Sequence, residues 1–132
     1  MVEIKSKSRF VKLLLYVFVG GGLGSVLRYL VSLAVGPESN FPWATMTANI
    51  LSSFVLGLLV GLLQTTGTLS NEMRLMWVVG FCGGFSTFST FSLENLQLWQ
   101  SHQYGWLLLN ILASVIVCML CIFAGIKIVQ NL

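Results

Sequence analysis

The chain has 132 residues, of which 56% are hydrophobic and only 8% charged, and its mean hydropathy is +0.88. An aqueous globular domain carries roughly a quarter of its residues as charges, so this composition excludes one and points to a membrane protein. The net charge of +3 comes with no aromatic-interleaved basic groove, which argues against nucleic acid as a partner.

Apolar runs that cross a hydrocarbon core of ~30 Å need about 20 residues each. Four such runs predict spans over Phe10–Val35, Trp43–Gln64, Arg74–Gln100 and Tyr104–Val129. The expectation is an all-α integral membrane protein, a single four-helix transmembrane domain over residues 1–132 with no soluble appendage. The basic stretch before the first run has the pattern of a cleaved signal, but that run exceeds signal-peptide length and three more spans follow.

The links read as turns. Gly36 through Pro42 contains two prolines, each removing a backbone donor and disfavouring helix in the residue before it. Thr65 through Glu72 is the second link, where Ser70 or Asn71 can cap the third helix. Ser101 through Gln103 is the third. Trp43, Trp99, Tyr104 and Trp106 then share one membrane interface, the level that amphipathic rings prefer.

Basic residues set the orientation. With the N-terminus inside a plasma membrane, Lys5, Lys7, Arg9, Lys12, Arg74 and Lys127 all lie on the cytoplasmic side, and the two outer loops contain no Lys or Arg. Both termini are expected in the cytoplasm. Arg28 is the exception, within the first span toward its outer end. Two readings stand for it: a side chain snorkelling outward from a structural position, or a source of positive potential at an anion mouth.

Cys82, Cys118 and Cys121 all fall within spans. The Cys118–Cys121 spacing suits metal or redox work, but no histidine or carboxylate lies near it in sequence, which favours plain helix packing. His102 sits in a loop. There is no phosphate-binding glycine loop, metal-ligand cluster or nucleophile–base pair, so the pattern argues against an enzyme.

Glycines recur four apart at Gly20 and Gly24, Gly57 and Gly61, and Gly80 and Gly84. Such pairs let helices approach closely in lipid. A tight four-helix unit has little interior for a pore, so a transport path is expected between subunits of a dimer; the same glycines serve equally well for packing within one subunit. On the second span Thr45, Asn49, Ser52 and Ser53 occupy one helical face. An interhelical hydrogen-bond seam and a permeation path both fit that face.

The third span carries the main signal. Gly83-Gly84 lie near its middle and are followed by Ser86, Thr87, Ser89, Thr90 and Ser92. Glycine weakens a helix and Ser or Thr can bend it, which predicts a mid-membrane break near Gly83–Ser86. Unwound backbone at that depth is tolerated only where it is buried in protein or lines a cavity, and its carbonyls are ready ligands for a hard cation. Phe85, Phe88 and Phe91 form an aromatic stripe beside the hydroxyls. Ring edges are electropositive and, with hydroxyl and amide donors, suit a small anion.

These residues carry a family resemblance through nearly the whole chain. GGGLGSVLRY (Gly20–Tyr29), ATMTANILSSFVLG (Ala44–Gly57) and above all GFCGGFSTFSTFSLE (Gly80–Glu94) resemble the fluoride channel family known as Fluc or CrcB. The resemblance implies a passive, fluoride-selective channel built as an antiparallel dimer with two pores at the subunit interface. It implies that Phe88 and Phe91 offer ring edges to fluoride, that Asn49 faces the pore, and that Thr90 and Ser89 supply pore hydroxyls. It further implies that the backbone carbonyls of Gly83 and Ser86, two from each subunit, hold a structural Na+ on the dimer axis. Arg28, Thr45 and Glu94 match family positions on the first span, in the second-span motif and downstream of the phenylalanines, with vestibule or structural roles. Two departures concern packing: the second-span motif often begins Gly-Thr and continues Val-Asn, whereas Ala44-Thr45 and Ala48-Asn49 stand here. Ser86 replaces a common Thr, which a backbone ligand tolerates. Asn110 and Ser114 on the fourth span either extend the polar track or pack.

Because the Lys and Arg bias is one-sided, the subunit is expected to insert mainly one way, its antiparallel mate being either a second copy or a related chain of opposite bias. A different class also has four short spans: a small proton-coupled multidrug exporter, for which Glu94 is the one candidate carboxylate.

Overall fold

The computed structural model describes residues 2–36, 41–67 and 70–132, with side chains from residue 7 onward. The turn expected over 36–42 and the link over 65–72 fall partly on 37–40 and 68–69, outside the described residues, as do the side chains of Glu3 and Lys5.

Among the described residues the chain is helical, without a strand. The elements are α1 (Val2–Val35), α2 (Trp43–Thr66), α3 (Asn71–Met73), a π-helical stretch (Arg74–Cys82), α4 (Gly83–Phe85), α5 (Phe88–Gln100) and α6 (Tyr104–Gln130). Four segments, Lys7–Val35, Trp43–Thr66, Asn71–Gln100 and Tyr104–Gln130, are long and apolar enough to cross a membrane. Helix α1 begins eight residues before the expected span. Lys and Glu are good helix formers, so hydropathy marks where lipid begins and not where the helix does.

Helix ends follow local chemistry. Of the two residues expected to cap the third span, Ser70 does so, its Oγ accepting from the Met73 N–H at 3.2 Å. Gly67 ends α2 in the left-handed region at φ +64, donating its N–H to the Leu63 carbonyl, a conformation that glycine adopts without a Cβ penalty. At the other end of the bundle, Phe41 stacks 4.5 Å from Trp43 and 5.6 Å from Trp106, and Trp99 meets Tyr104 at 5.2 Å. The expected aromatic belt is thus two ring groups at that end, one around Phe41 and one around Tyr104.

Helix α1 packs chiefly on the first half of the third span, and α2 on α6. Glycine makes both approaches possible. A Cβ on Gly24 would overlap the Phe81 carbonyl oxygen and lie 2.7 Å from the Phe85 nitrogen, and one on Gly57 would overlap Ile122 backbone, 2.9 Å from its Cα. The glycine pairs therefore serve packing within the subunit, which resolves the two roles open from sequence.

The interior is more polar than that of an aqueous domain. Thr45, Ser52, Thr87, Glu94, Asn110 and Ser114 are buried beside Phe41, Ala48, Cys82, Phe85 and Leu98, while the large apolar side chains of α1 and α6 face outward. That inversion follows from the solvent: lipid removes the drive to bury hydrocarbon, and polar groups turn inward to pair. Asn110 donates to Asn95 Oδ1 at 3.0 Å and accepts from Ser114 at 3.3 Å, tying α6 to α5.

Candidate functional site

The site is built where the third span changes conformation. Helix α4 ends at Phe85, Ser86 is extended at ψ 158, Thr87 is extended at φ −148 and ψ 119, and α5 starts at Phe88. Gly83 remains helical at φ −66 and ψ −33, so the extended backbone is at Ser86 and Thr87, later than the expected Gly83–Ser86 stretch.

Hydrogen bonds explain the placement. In a continuous α-helix the N–H of residue 87 would bond the carbonyl of residue 83. Here the Thr87 N–H donates to Asn49 Oδ1 at 2.8 Å, and Asn49 Nδ2 donates back to the Thr87 carbonyl at 3.3 Å. Thr87 then caps α5, its Oγ1 accepting from the Thr90 N–H at 3.3 Å and lying 3.0 Å from Thr90 Oγ1 and 3.3 Å from Ser89 Oγ. Such a cap contributes about 1 kcal/mol to a helix start. On the preceding turn the Cys82 carbonyl accepts from the Ser86 N–H at 3.0 Å and from Ser52 Oγ at 2.9 Å. The polar face of α2 is thus the template on which the third span is held.

Two clefts flank this interruption. The end cleft, about 320 Å³, is lined by Ser25, Arg28, Tyr29, Ser32, Ala44, Thr45, Thr87, Thr90 and Glu94. Within it Thr45 Oγ1 donates to Glu94 Oε1, and Arg28 Nε is buried with no hydrogen-bond partner among the described residues. The mid-span cleft, about 270 Å³, is lined by Asn49, Ser53, Ser86, Thr87, Phe88, Phe91, Ser114, Val115 and Cys118. Phe88 and Phe91 stand with ring centroids 5.8 Å apart at 35°. Phe88 is 79% exposed.

The residues singled out from sequence divide between these clefts. Asn49, Phe88, Phe91 and Ser86 meet in the mid-span cleft; Arg28, Thr45, Thr90 and Glu94 meet in the end cleft. Ser89 lines neither, although its hydroxyl reaches Thr87. Gly83 is exposed, with open space where a Cβ would be. Phe85, which shares the three-residue spacing of Phe88 and Phe91 but is given no pore role by the resemblance, is buried and packs 5.8 Å from Phe81.

Thr87 is the residue that sequence reasoning missed. It is the one side chain common to both clefts, buried between them, so any polar track from one to the other runs past its hydroxyl. A signal was available: Thr87-Phe88-Ser89-Thr90 places a capping residue three before Thr90, at a helix restart. Ser114 and Cys118 also enter the mid-span cleft, by facing α2 across the bundle.

Together these features define a small helical membrane protein with an interrupted third span and two partly polar clefts beside the interruption. Residues 15–126 match the family model described as CrcB-like protein, Camphor Resistance (CrcB). The chain belongs to the CrcB family. It is 44% identical over 117 residues to a fluoride-specific ion channel FluC of Phocaeicola vulgatus, covering 87% of this chain and 96% of that one. A protein of the same description from Agrobacterium fabrum is 45% identical over 120 residues, covering 88% and 94%. Another from Pyrococcus abyssi is 40% identical over 114 residues, covering 86% and 93%.

Proposed function

We propose that this chain is the subunit of a passive, fluoride-selective channel that lets the ion leave the cell and so limits its toxicity. It is not an enzyme, and its substrate is the ion itself. The observation that carries the reading is the mid-span cleft: Phe88 and Phe91 present ring faces and edges beside the Asn49 amide and the Ser114 hydroxyl, with no fixed charge in the lining. Small anions are held there by weak donors, which permits both entry and exit. An amide has two N–H donors; Asn49 uses one on Thr87, which leaves the second for an anion. The end cleft, with Arg28 at its wall, attracts the anion toward this lining, and Thr90 and Thr87 carry hydroxyls inward. Ser89 acts through its contact with Thr87. The names borne by the relatives support the same ion.

The channel is an antiparallel dimer with two pores at the interface. The open face around Phe88 supports this, since a permeating ion needs protein on the side of the cleft that one subunit leaves bare. The carbonyls of Gly83 and Ser86 from each subunit hold a structural Na+ on the dimer axis, where it supplies a fixed positive charge joining the two chains. The donor set fits: the Thr87 N–H, the helical partner of the Gly83 carbonyl, goes to Asn49, and the Thr90 N–H, the helical partner of the Ser86 carbonyl, goes to Thr87. Among the described residues no three His, Cys, Asp or Glu gather as an alternative site, and backbone carbonyls suit a hard monovalent ion.

The direct test is ion efflux from proteoliposomes. Detergent removes any constraint on insertion, so the purified chain can meet a second copy head to tail. Fluoride is expected to leave vesicles holding the protein while chloride stays; retention of fluoride by a folded, dimeric sample overturns the reading. Topology gives a separate prediction. Accessibility tags on the chain expressed alone are expected to report one orientation with both termini cytoplasmic, as the one-sided basic residues require, with the mate in the cell being a related chain of opposite bias. Equal populations of both orientations, with fluoride efflux from those cells, point instead to a mate that is a second copy.

A further inference from the structure

Asn49 lies on α2 and Thr87 on the extended turn of the third span, 38 positions apart in sequence, yet the two share a paired hydrogen bond. Both polar atoms of the Asn49 carboxamide are engaged: Oδ1 takes the Thr87 N–H at 2.8 Å, and Nδ2 gives to the Thr87 carbonyl at 3.3 Å. The arrangement imitates one rung of a β-ladder, with a side chain in place of the second strand. As the N-cap of α5, Thr87 keeps its carbonyl in the new helix, but its N–H is left without a helical partner, a costly omission in hydrocarbon. The Asn49 carboxamide supplies that partner and adds a second bond to the Thr87 carbonyl.

We infer that Asn49 is a positioning residue, whose carboxamide holds Thr87 extended and so turns the Gly83 and Ser86 carbonyls over to the axial cation. The second half rests on the Na+ reading above. Without Asn49, the nearest acceptor for the Thr87 N–H is the Gly83 carbonyl of its own helix. Closing that bond engages Gly83, rotates Thr87 out of its capping position, and returns the Thr90 N–H to Ser86. One side chain on a neighbouring span thereby governs two of the proposed ligand carbonyls. Ser52 braces the same turn from one helical turn further along α2, donating to the Cys82 carbonyl at 2.9 Å, so the pivot is anchored on its near side.

Two readouts separate this role from that of a donor to the permeating ion. Ser-Thr occurs in the sequence only at 86–87 and 89–90, so carbonyl-13C serine with 15N threonine yields two amide resonances, which Thr90→Ser assigns. The Thr87 resonance is expected in the extended range in the parent protein and in Asn49→Asp, which keeps the Oδ acceptor, and to move to the helical range in Asn49→Leu. Thermal unfolding in Na+ against N-methylglucamine is the second readout: a Na+-dependent rise in Tm is expected for the parent and Asn49→Asp, and is lost in Asn49→Leu. Fluoride efflux should fall in both variants, since Asp repels the ion, so efflux follows the donor and the other two readouts follow the clamp. An unmoved Thr87 resonance in Asn49→Leu overturns the proposal. A moved resonance with an intact Na+ response overturns its cation half. Absence of the Na+ response in the parent defeats the cation reading on its own and leaves the clamp to be judged by the resonance. If Asn49→Leu fails to fold, Asn49→Ala, which also removes the acceptor, decides: a helical Thr87 supports the clamp, an extended one overturns it.

Discussion

Replacing Phe88 by Ile is expected to abolish fluoride efflux while leaving a folded dimer. The ring is 79% exposed in the subunit, so its truncation opens no cavity within the chain and the fold loses little. What disappears is the electropositive edge. Ile fills much of the same volume but presents only hydrocarbon, so a permeating anion crosses that level with one side unsolvated. A loss of at least ~100-fold in efflux rate is expected, equivalent to about 2.7 kcal/mol on the barrier at 1.36 kcal/mol per tenfold. Efflux through Phe88→Ile within about threefold of the parent rate, less than ~0.7 kcal/mol, would show that the ring only packs against the partner. Size-exclusion chromatography of the same sample separates loss of conduction from loss of assembly.

The second large effect concerns the fold and not conduction. Gly24→Ala and Gly57→Ala each place a methyl group into facing backbone, at Phe81 and Phe85 in one case and at Ile122 in the other. Backbone cannot swing aside as a side-chain tip can, so α1 must withdraw from the third span, or α2 from α6. Overpacking typically costs about 1–3 kcal/mol and occasionally more, and contact with main chain on a helix seam belongs at the upper end. Both variants are expected to lose folded yield and thermal stability. Gly105→Ala is the matched control: the same change in an open position should leave Tm close to the parent value. Equal stability of all three variants would mean that the helices separate readily.

How far the sequence revealed the molecule depended on the range of each interaction. The four spans were legible because lipid imposes a length and a composition on every crossing segment. The Gly20, Gly24, Gly57 and Gly61 spacing revealed close helix contacts, but not whether they lay inside the subunit, since a small residue carries no address. Their facing atoms, Phe81 and Ile122 among them, supply it. The π-helical register over Arg74–Cys82 left no mark in composition. Glycine at 83 and 84 suggested an unwound centre there, yet both stay helical. The backbone departs where a partner exists to receive it, at Thr87 opposite Asn49, and that pairing is invisible to any rule that reads one helix at a time.

The same limit applied to the site. Thr45, Asn49 and Ser52 were recognisable as one polar face, but their targets differ: a carboxylate, a backbone amide and carbonyl, and a single carbonyl. Hydroxyls beside Phe88 and Phe91 read as one stripe, whereas the fold divides them, Thr90 toward the end cleft and Ser89 toward neither. Thr87 was counted among the hydroxyls and given no role. Its importance comes from lying between two cavities, a relation that exists only in three dimensions.

The division of labour among small residues and aromatics bears on how such a chain can change over time. Glycines that hold the bundle together face inward, and Phe88 faces out, so the two surfaces share few residues and mutations in one rarely trouble the other. Substitutions on the outer face can therefore accumulate without endangering the bundle beneath. The architecture thus keeps the residues that pack the bundle apart from those on the exposed face around Phe88.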